Sequence, residues 1–188
     1  MNEQIITTTR AVKTKRLAYA LAKKILKNRH QKPAIIIALS GNLGSGKTTF
    51  VQGFAKELGI KEIPKSPTFI LMQIFPIPPK SYKLKAKSLI HIDAYRLEKP
   101  KELIHLGLKE ILRDPHNIVI IEWAEKVKAL LPKDAIWISF RHAGKDKRHI
   151  AIKSQYQKFA PSANSGASPV ESQIVGFRPK SQTKSKSK

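Results

Sequence analysis

The sequence predicts an α/β domain in which helices flank a central, largely parallel β-sheet. Short apolar runs of strand length alternate along the chain with amphipathic segments of helix length, as they do in strand-helix-strand units. A glycine-rich loop lies between one such run and the helical segment after it. With 188 residues and 41% hydrophobic content, the chain is long enough to bury one full-sized core. A single domain is therefore expected.

The first predicted elements are a helix and a buried strand. Leu17, Leu21 and Ile25 recur at four-residue spacing, which predicts an amphipathic helix over residues 11–28. The run Ala34–Leu39, "AIIIAL", is short, Ile-rich and bounded by a proline and the glycine-rich loop, so it predicts a buried strand. The loop therefore begins where a strand ends.

Helical and strand patterns alternate through the rest of the chain. A second helix covers about Lys47–Leu58, and Gly59 stands in the usual glycine position just beyond a helix end. Pro100 begins another helical stretch, "PKELIHLGLKEILR", which Asp114-Pro115 closes. Further strand patterns occur at Thr68–Phe75, Ser88–Asp93, Asn117–Trp123, Asp134–Arg141 and Arg148–Lys153. This order predicts a mixed sheet that is mostly parallel.

Two segments look peripheral to the domain. The stretch Pro76–Lys87 has three prolines and no apolar periodicity, which predicts a flexible connection between two strands. After Gln155 the chain is rich in Ser, Pro and Lys and has few large apolar residues, a composition typical of disorder. We therefore expect the folded domain to span 1–155 and a basic tail to span 156–188.

The charge of the chain is strongly positive. Lys and Arg number 36 against 13 Asp and Glu, giving a formal net charge of +23, and residues 4–56 contain no acidic residue. This makes polyanions such as RNA plausible partners. A basic proteome or a solvated helix face would explain the same pattern, so both interpretations stay open.

The apolar runs argue against a membrane protein or a secreted protein, and the cysteine content excludes cysteine-based sites. No run of eighteen or more apolar residues occurs, and the beginning of the chain lacks the pattern of a signal peptide, so a cytosolic location without membrane contact is expected. With no cysteine in the sequence, disulfides, thiolate metal sites and cysteine nucleophiles are excluded.

The glycine-rich loop matches G-x-x-x-x-G-K-[ST], the phosphate-binding P-loop, and has both a strand before it and a helix after it. Its glycines allow backbone N–H groups to turn inward at a helix N-terminus, where the partial positive charge favours phosphates. Lys47 is expected to reach the β and γ phosphates, and the Thr48 hydroxyl to bind Mg²⁺. The predicted nucleotide contacts in this loop are Gly41, Asn42, Leu43, Gly44, Ser45, Gly46, Lys47, Thr48 and Thr49.

Two acidic residues end predicted strands downstream of the loop. Asp93 ends "SLIHID" and Glu122 ends "NIVIIE". In such folds, carboxylates at the ends of neighbouring strands complete the metal site and orient a nucleophile, so Asp93, Glu122 and Lys47 are the candidate catalytic residues. His91 shares the side of the strand occupied by Asp93, and a role as a core residue or as a neighbour of the site is expected for it.

Four motifs occur in one order: "GNLGSGKTTF", "SPTF" at Ser66–Phe69, "HIDAYRL" at His91–Leu97 and "IEWAEK" at Ile121–Lys126. With them the sequence resembles the TsaE (YjeE) family, small P-loop ATPases of the bacterial tRNA threonylcarbamoyladenosine pathway. The resemblance runs from about Thr14 to Lys153 and includes "LGLKEIL" at Leu106–Leu112. Composition and spacing alone indicate a site for a magnesium nucleotide; only the family implies tRNA modification.

The resemblance implies ATP hydrolysis in partnership with the TsaD-TsaB complex. That complex transfers the threonylcarbamoyl group onto adenosine 37 of tRNAs reading codons that begin with A. A TsaE protein is not expected to transfer the group itself; its ATPase would reset the complex between turnovers. The cofactors implied are ATP and Mg²⁺, and tRNA is expected to contact the protein only indirectly or weakly.

The family motifs also imply roles for individual residues. Thr48 and Glu122 would hold Mg²⁺, and Asp93 would lie near the metal or its water, as a metal ligand or as the acid that activates the water; Glu122 is the other candidate for activation. Trp123 would support the site. The "SPTF" loop would sense the γ phosphate, with Thr68 as its polar contact. Arg148, and a residue among 7–9, would flank the adenosine, although an edge-strand charge and a loop before the helix are ordinary alternatives.

The sequence departs from the family pattern at several positions. The usual loop reads "GDLGAGKT", whereas this one has Asn42 in place of the acid and Ser45 in place of alanine. Ala94 stands where leucine is usual, and Ala124 where proline is common. Without the acidic side chain the loop is more positive, which would tighten triphosphate binding or remove a partner contact. The lysine, the metal hydroxyl and the two acids are unchanged.

Two other functions use the same motifs. A small-molecule or nucleotide kinase would share the loop and the magnesium, but the stretch after Tyr95 offers no obvious lid. A nonenzymatic RNA-binding P-loop module would account for the net charge, but it would not need Lys47, Thr48, Asp93 and Glu122 together. A GTPase is less favoured because no N-K-x-D motif occurs.

Overall fold

A computed structural model describes residues 2–27, 33–67, 70–79 and 86–154 of the chain. The predicted γ-phosphate contact Thr68 lies outside the described residues, as do the predicted tail at 156–188 and positions 80–85 of the predicted connection. Apart from Phe69 of the "SPTF" motif, everything else that the sequence assigns to the site falls within the described ranges. In that part of the chain, no helix combines the length and the apolar character needed to cross a bilayer.

Seven strands form one sheet in the order β1-β7-β6-β2-β5-β4-β3. The four central strands, β6, β2, β5 and β4, run parallel to one another, and antiparallel pairs lie towards both edges. The predicted α/β fold with a mixed sheet is thus confirmed, and the sheet is parallel in its centre. The strands are β1 (Asn2–Thr8), β2 (Ile35–Gly41), β3 (Met72–Pro76), β4 (Ser88–Asp93), β5 (Asn117–Glu122), β6 (Ile136–His142) and β7 (Arg148–Ser154).

Helices cover both faces of the sheet and divide the core into two layers. Alternate residues of a strand point to opposite faces, so Leu89 packs beneath the first two helices and Ile90 packs on the other face. The apolar run at the start of β2 is shared between the layers in the same way. The helices are α1 (Ala11–Lys27), α2 (Lys47–Glu57), α3 (Lys101–His105), α4 (Leu108–Arg113) and a 3-10 helix (Ala124–Leu130).

The first two helices touch at a glycine. A Cβ added to Gly53 of α2 would lie 2.4 Å from the carbonyl oxygen of Lys15 in α1, closer than real Cβ contacts come. The glycine therefore allows the two helix backbones to meet. This contact ties α2, whose first residue is Lys47, to the helix before it.

The structure corrects several predicted boundaries. The strand β1 was not predicted; Thr7 and Thr8 belong to it rather than to a loop. The helical stretch after Pro100 is two helices, because Gly107 has a φ of 78° and interrupts it. The strand expected from Thr68 begins at Met72.

The strand expected to include Trp123 ends one residue earlier, at Glu122. Trp123 has a φ of 58° and directs the chain into the 3-10 helix. The boundaries of β4 agree with the prediction, and those of α1, α2, β2, β6 and β7 agree to within two residues.

Candidate functional site

The phosphate loop joins the end of β2 to the first turn of α2, as predicted. Gly41 has a φ of 134°, and a Cβ added there would lie 2.3 Å from the carbonyl oxygen of Phe140. Gly46, the residue before the helix, is left-handed with a φ of 101°. Both positions thus require glycine. The loop's backbone N–H groups lie at the N-terminus of an 11-residue helix, which is a favourable place for an anion.

The ammonium group of Lys47 is held inside this loop. Its Nζ donates hydrogen bonds to the carbonyl oxygens of Gly41 at 2.7 Å and Asn42 at 3.1 Å, and it lies 4.0 Å from the centre of the Trp123 ring. The residue is only 4% exposed. Burial lowers the pKa of Lys47 below its ordinary value, while the nearby carboxylates, chiefly that of Glu122, oppose the shift.

A chain of hydrogen bonds runs from the loop into the core. The Thr48 hydroxyl donates to Glu122 Oε2 at 3.0 Å, and the imidazole Nε2 of His91 lies 2.9 Å from Glu122 Oε1. Glu122 is 3% exposed and His91 is fully buried. Because the Thr48 hydroxyl donates its hydrogen bond to Glu122, the lone pairs of its oxygen stay available to a cation.

Asp93 lies beside Glu122 because the two residues are paired in the register of β4 and β5. One oxygen of its carboxylate accepts a hydrogen bond from the Ser66 hydroxyl, and the other accepts one from the Tyr95 backbone N–H at 2.9 Å. Asp93 is 2% exposed. The "SPTF" segment thus reaches the site through Ser66.

Aromatic side chains cover the other side of the site. The rings of Tyr95 and Trp123 are 5.0 Å apart between centroids, and Lys126 Nζ donates to the Tyr95 carbonyl and, at 3.2 Å, to the Leu97 carbonyl. These contacts fasten the turn after β4 to the 3-10 helix. Tyr95 and Trp123, together with the loop and the two acids, line a cleft of about 470 Å³.

The hairpin between β6 and β7 supports the loop from outside. Arg148 donates to the Gly44 carbonyl at 3.3 Å and to the Lys147 carbonyl at 2.9 Å, and His142 Nε2 lies 3.2 Å from the Leu43 carbonyl. A second cleft, of about 440 Å³, lies between the ends of β2 and β6 on this side. The role of Arg148 beside an adenosine stays a prediction; its contacts here are with the loop backbone.

The N-terminal threonines lie close to β7 and α1. The Thr7 hydroxyl is 3.0 Å from His149 Nδ1, and the buried Thr8 hydroxyl is 2.9 Å from that of Thr14. Both contacts hold β1 in place. A contact of residues 7–9 with adenosine likewise stays a prediction.

The side chains present fit a nucleotide with Mg²⁺. Thr48, Glu122 and Asp93 offer oxygen ligands, the kind that Mg²⁺ prefers, and Mg²⁺ in nucleotide sites commonly takes one or two carboxylates together with phosphates and water. Ser45 Oγ is a further group in the loop: it is buried and has no hydrogen-bond partner among the described residues. No group of three or more His, Asp or Glu able to hold a metal occurs in that part of the chain, so a phosphate would have to complete such a site.

The structure brings most of the predicted site residues together. The loop residues Leu43 to Thr49 line the first cleft with Asp93, Glu122 and Trp123, and Gly41 and Asn42 line the second. Sequence reasoning did not assign the contact between Ser66 and Asp93. It did not assign the contact of His91 with Glu122 either, although the two-residue spacing of His91 and Asp93 places both on one face of β4.

Comparisons with known proteins identify the family that the chain resembles. A family model described as "Threonylcarbamoyl adenosine biosynthesis protein TsaE" matches residues 8–150. Two similar curated proteins are called tRNA threonylcarbamoyladenosine biosynthesis protein TsaE. The Bacillus subtilis protein is 37% identical to this chain, and the match covers 67% of this chain and 75% of the relative. The Rickettsia bellii protein is 36% identical, and the match covers 83% of this chain and 98% of the relative. The crystal structure of Bacillus subtilis YdiB is similar with a TM-score of 0.61 and 30% identity, covering 81% of this chain and 86% of YdiB.

Proposed function

The chain belongs to the TsaE family of threonylcarbamoyl adenosine biosynthesis proteins, and we propose that it acts in that pathway as a magnesium-dependent ATPase. The observation that carries the proposal is the hydrogen bond from the Thr48 hydroxyl to Glu122 across 74 residues of sequence. It joins the phosphate loop to the acid at the end of the neighbouring strand. Phosphoryl transfer on a P-loop uses this combination of hydroxyl and carboxylate to hold Mg²⁺.

The loop residues bind the triphosphate in this proposal. Backbone N–H groups between Gly41 and Thr48 surround the phosphates, and the ammonium of Lys47 supplies positive charge. Lys47 is already positioned within the loop by two carbonyl oxygens and the Trp123 ring. Bound Mg²⁺ would neutralise charge on the phosphate oxygens; Thr48, Glu122 and Asp93 would hold it.

The acids also orient the attacking water in this proposal. Asp93 and Glu122 lie side by side in the register of the two strands, so both are within the same small region of the cleft. Asp93 is connected through Ser66 to the segment before β3. Nucleotide binding that moved this segment would therefore displace the Asp93 carboxylate as well. Such a movement of the segment would be the signal that a partner protein detects.

The partner in this proposal is the TsaD-TsaB complex, and the process served is the formation of threonylcarbamoyladenosine at position 37 of tRNA. The names of the family and of the relatives support the pathway. ATP hydrolysis here would reset the partner complex, and the transfer of the threonylcarbamoyl group would remain with the partner. The phosphate loop and the two acids that line the cleft support the hydrolysis proposed here.

The experiment is a reconstitution with the TsaD-TsaB complex from the same organism. We expect slow release of inorganic phosphate from ATP by the chain alone, a changed rate when the complex is added, and repeated cycles of tRNA modification only with the wild-type chain. Lys47→Ala and Glu122→Ala should abolish this support.

Two outcomes would contradict the proposal. Unchanged modification with and without the wild-type chain would reject its function in the pathway. Transfer of the γ-phosphate to a small-molecule acceptor, with no phosphate released to water, would indicate a kinase instead.

A further inference from the structure

His91 is a buried polar residue in an apolar layer of the core. It is 0% exposed, as are Leu89, two residues before it on β4, and Ile120, its partner in the register of β5. These three side chains share the face of the sheet that α1 and α2 cover. Burying an imidazole there costs free energy unless its polar atoms are satisfied.

The hydrogen bond of His91 is made to the acid of the site. Its Nε2 lies 2.9 Å from Glu122 Oε1, and because an ionised carboxylate only accepts, the imidazole donates. The other ring nitrogen, Nδ1, is buried without a hydrogen-bond partner among the described residues. The imidazole therefore has one polar contact in that part of the structure, and that contact is with Glu122.

We propose that His91 is a positioning residue that orients the Glu122 carboxylate towards Thr48 and the bound Mg²⁺. The inference rests on the proposed function, because it concerns the same magnesium site. Glu122 is held at both oxygens: His91 binds Oε1 from beneath, and Oε2 accepts the Thr48 hydroxyl at 3.0 Å. Without His91, Oε1 would lose its donor and the side chain could rotate away from Thr48.

The burial of His91 agrees with a role exerted through Glu122. The cleft is lined by Thr48, Asp93 and Glu122, and His91 is not among its lining residues. A leucine would suit the apolar surroundings better, since it has no ring nitrogen to leave unsatisfied. Hydrogen-bond partners of metal-binding carboxylates typically contribute about ten- to a hundredfold to metal affinity or activity.

The test compares two replacements of His91 that differ in the hydrogen bond. His91→Met fills a similar space and removes the donor, whereas His91→Gln keeps an N–H group that can reach the carboxylate. Binding of a non-hydrolysable ATP analogue is titrated calorimetrically at increasing Mg²⁺ concentration. We expect His91→Met to raise the Mg²⁺ needed for half-saturation about tenfold or more, His91→Gln to raise it less, and the affinity without Mg²⁺ to be unchanged in both.

The matched control is Leu89→Ala, on the same strand and the same face and equally buried. It should lower the melting temperature without altering the Mg²⁺ requirement. A double-mutant cycle supplies the second readout: if His91 acts through Glu122, His91→Met combined with Glu122→Gln should require no more Mg²⁺ than Glu122→Gln alone. If His91→Met does not fold, His91→Asn replaces it, because its amide is too short to reach Glu122.

Three results would overturn the inference: an unchanged Mg²⁺ requirement in His91→Met or its substitute, equal effects of the Gln and Met variants, or additive effects with Glu122→Gln. Failure of the proposed function looks different. If the wild-type chain shows no Mg²⁺-dependent nucleotide binding, the magnesium site and the inference fall together. If it shows that binding and the His91 effect but no hydrolysis, the ATPase proposal alone is wrong.

Discussion

The ammonium of Lys47 lies 4.0 Å from the centre of the Trp123 ring, directly over its face. The contact joins the phosphate loop to the residue after β5, and the backbone of Trp123 is left-handed there, with a φ of 58°. Such a backbone conformation is costly for a bulky residue. A cation over an aromatic face is attracted to it, which offsets part of that cost and positions the lysine within the cleft.

Trp123 should therefore report nucleotide binding through its fluorescence. The sequence has two tryptophans. The second, Trp137, lies within β6, opposite Ala38 of β2. In Trp137→Phe, only Trp123 emits, so the emission should change in a saturable manner as ATP and Mg²⁺ are added and the Lys47 ammonium is drawn to the phosphates. The reverse variant, Trp123→Phe, serves as the control and should show no comparable change. Equal responses from the two variants would count against the contact.

The close approach of Gly41 to Phe140 predicts a large effect of a single methyl group. In Gly41→Ala the new Cβ would lie 2.3 Å from a backbone oxygen, so either the loop or β6 must shift. We expect loss of nucleotide binding and a clear fall in melting temperature. Gly144→Ala is the matched control, because its φ of 127° is as unfavourable but its Cβ would meet nothing within 4 Å. Melting curves and nucleotide titrations of both variants give the comparison, and similar nucleotide affinities would refute the steric explanation.

The site was predictable where its residues are fixed locally or by strand ends. Lys47 and Thr48 follow from the loop spacing, and Asp93 and Glu122 from their positions after apolar runs, which parallel pairing brings to one edge of the sheet. Side-chain contacts between distant segments could not be predicted. The Ser66 hydroxyl can meet Asp93 because β3 pairs antiparallel with β4, with Met72 opposite Ile92, so β3 begins beside the end of β4 at which Asp93 lies.

The strand β1 was not predicted, because it too depends on a contact between distant segments. The segment "NEQIITT" has only two large apolar residues, and it is a strand because β7 pairs with it from the other end of the domain, Thr8 opposite Arg148. A tertiary contact of this kind overrides weak local preference. The break at Gly107 was missed for the opposite reason, because the apolar spacing continues across a residue whose positive φ interrupts the helix.

Ser45 should reduce stability in the nucleotide-free protein. Its hydroxyl is 0% exposed and has no hydrogen-bond partner within the described ranges, and a buried hydroxyl left unsatisfied costs about 1–3 kcal/mol. Ser45→Ala should therefore raise the melting temperature, by about 2–4 °C for each kcal/mol recovered in a domain of this size.

The same variant tests whether that hydroxyl has a functional use. If Ser45 donates to a phosphate, Ser45→Ala should bind ATP more weakly than wild type although it is more stable. Ser40→Ala is a suitable comparison, because Ser40 lies at the end of β2 just before the loop and is only partly buried. A lower melting temperature for Ser45→Ala would show that the hydroxyl is satisfied after all.

The lowered pKa of Lys47 predicts how stability depends on alkaline pH. Burial lowers the pKa in the folded state below 10.5, the ordinary value for lysine, so between the two values the unfolded chain binds more protons than the folded one. Stability therefore rises with pH across that window and is reduced below it, where the buried amine must stay charged. Lys47→Met removes this titration. The melting temperature of wild type relative to Lys47→Met should increase as the pH rises from neutral towards 10.5. A difference that stays constant or falls would show that the fold does not disfavour the charged form of Lys47.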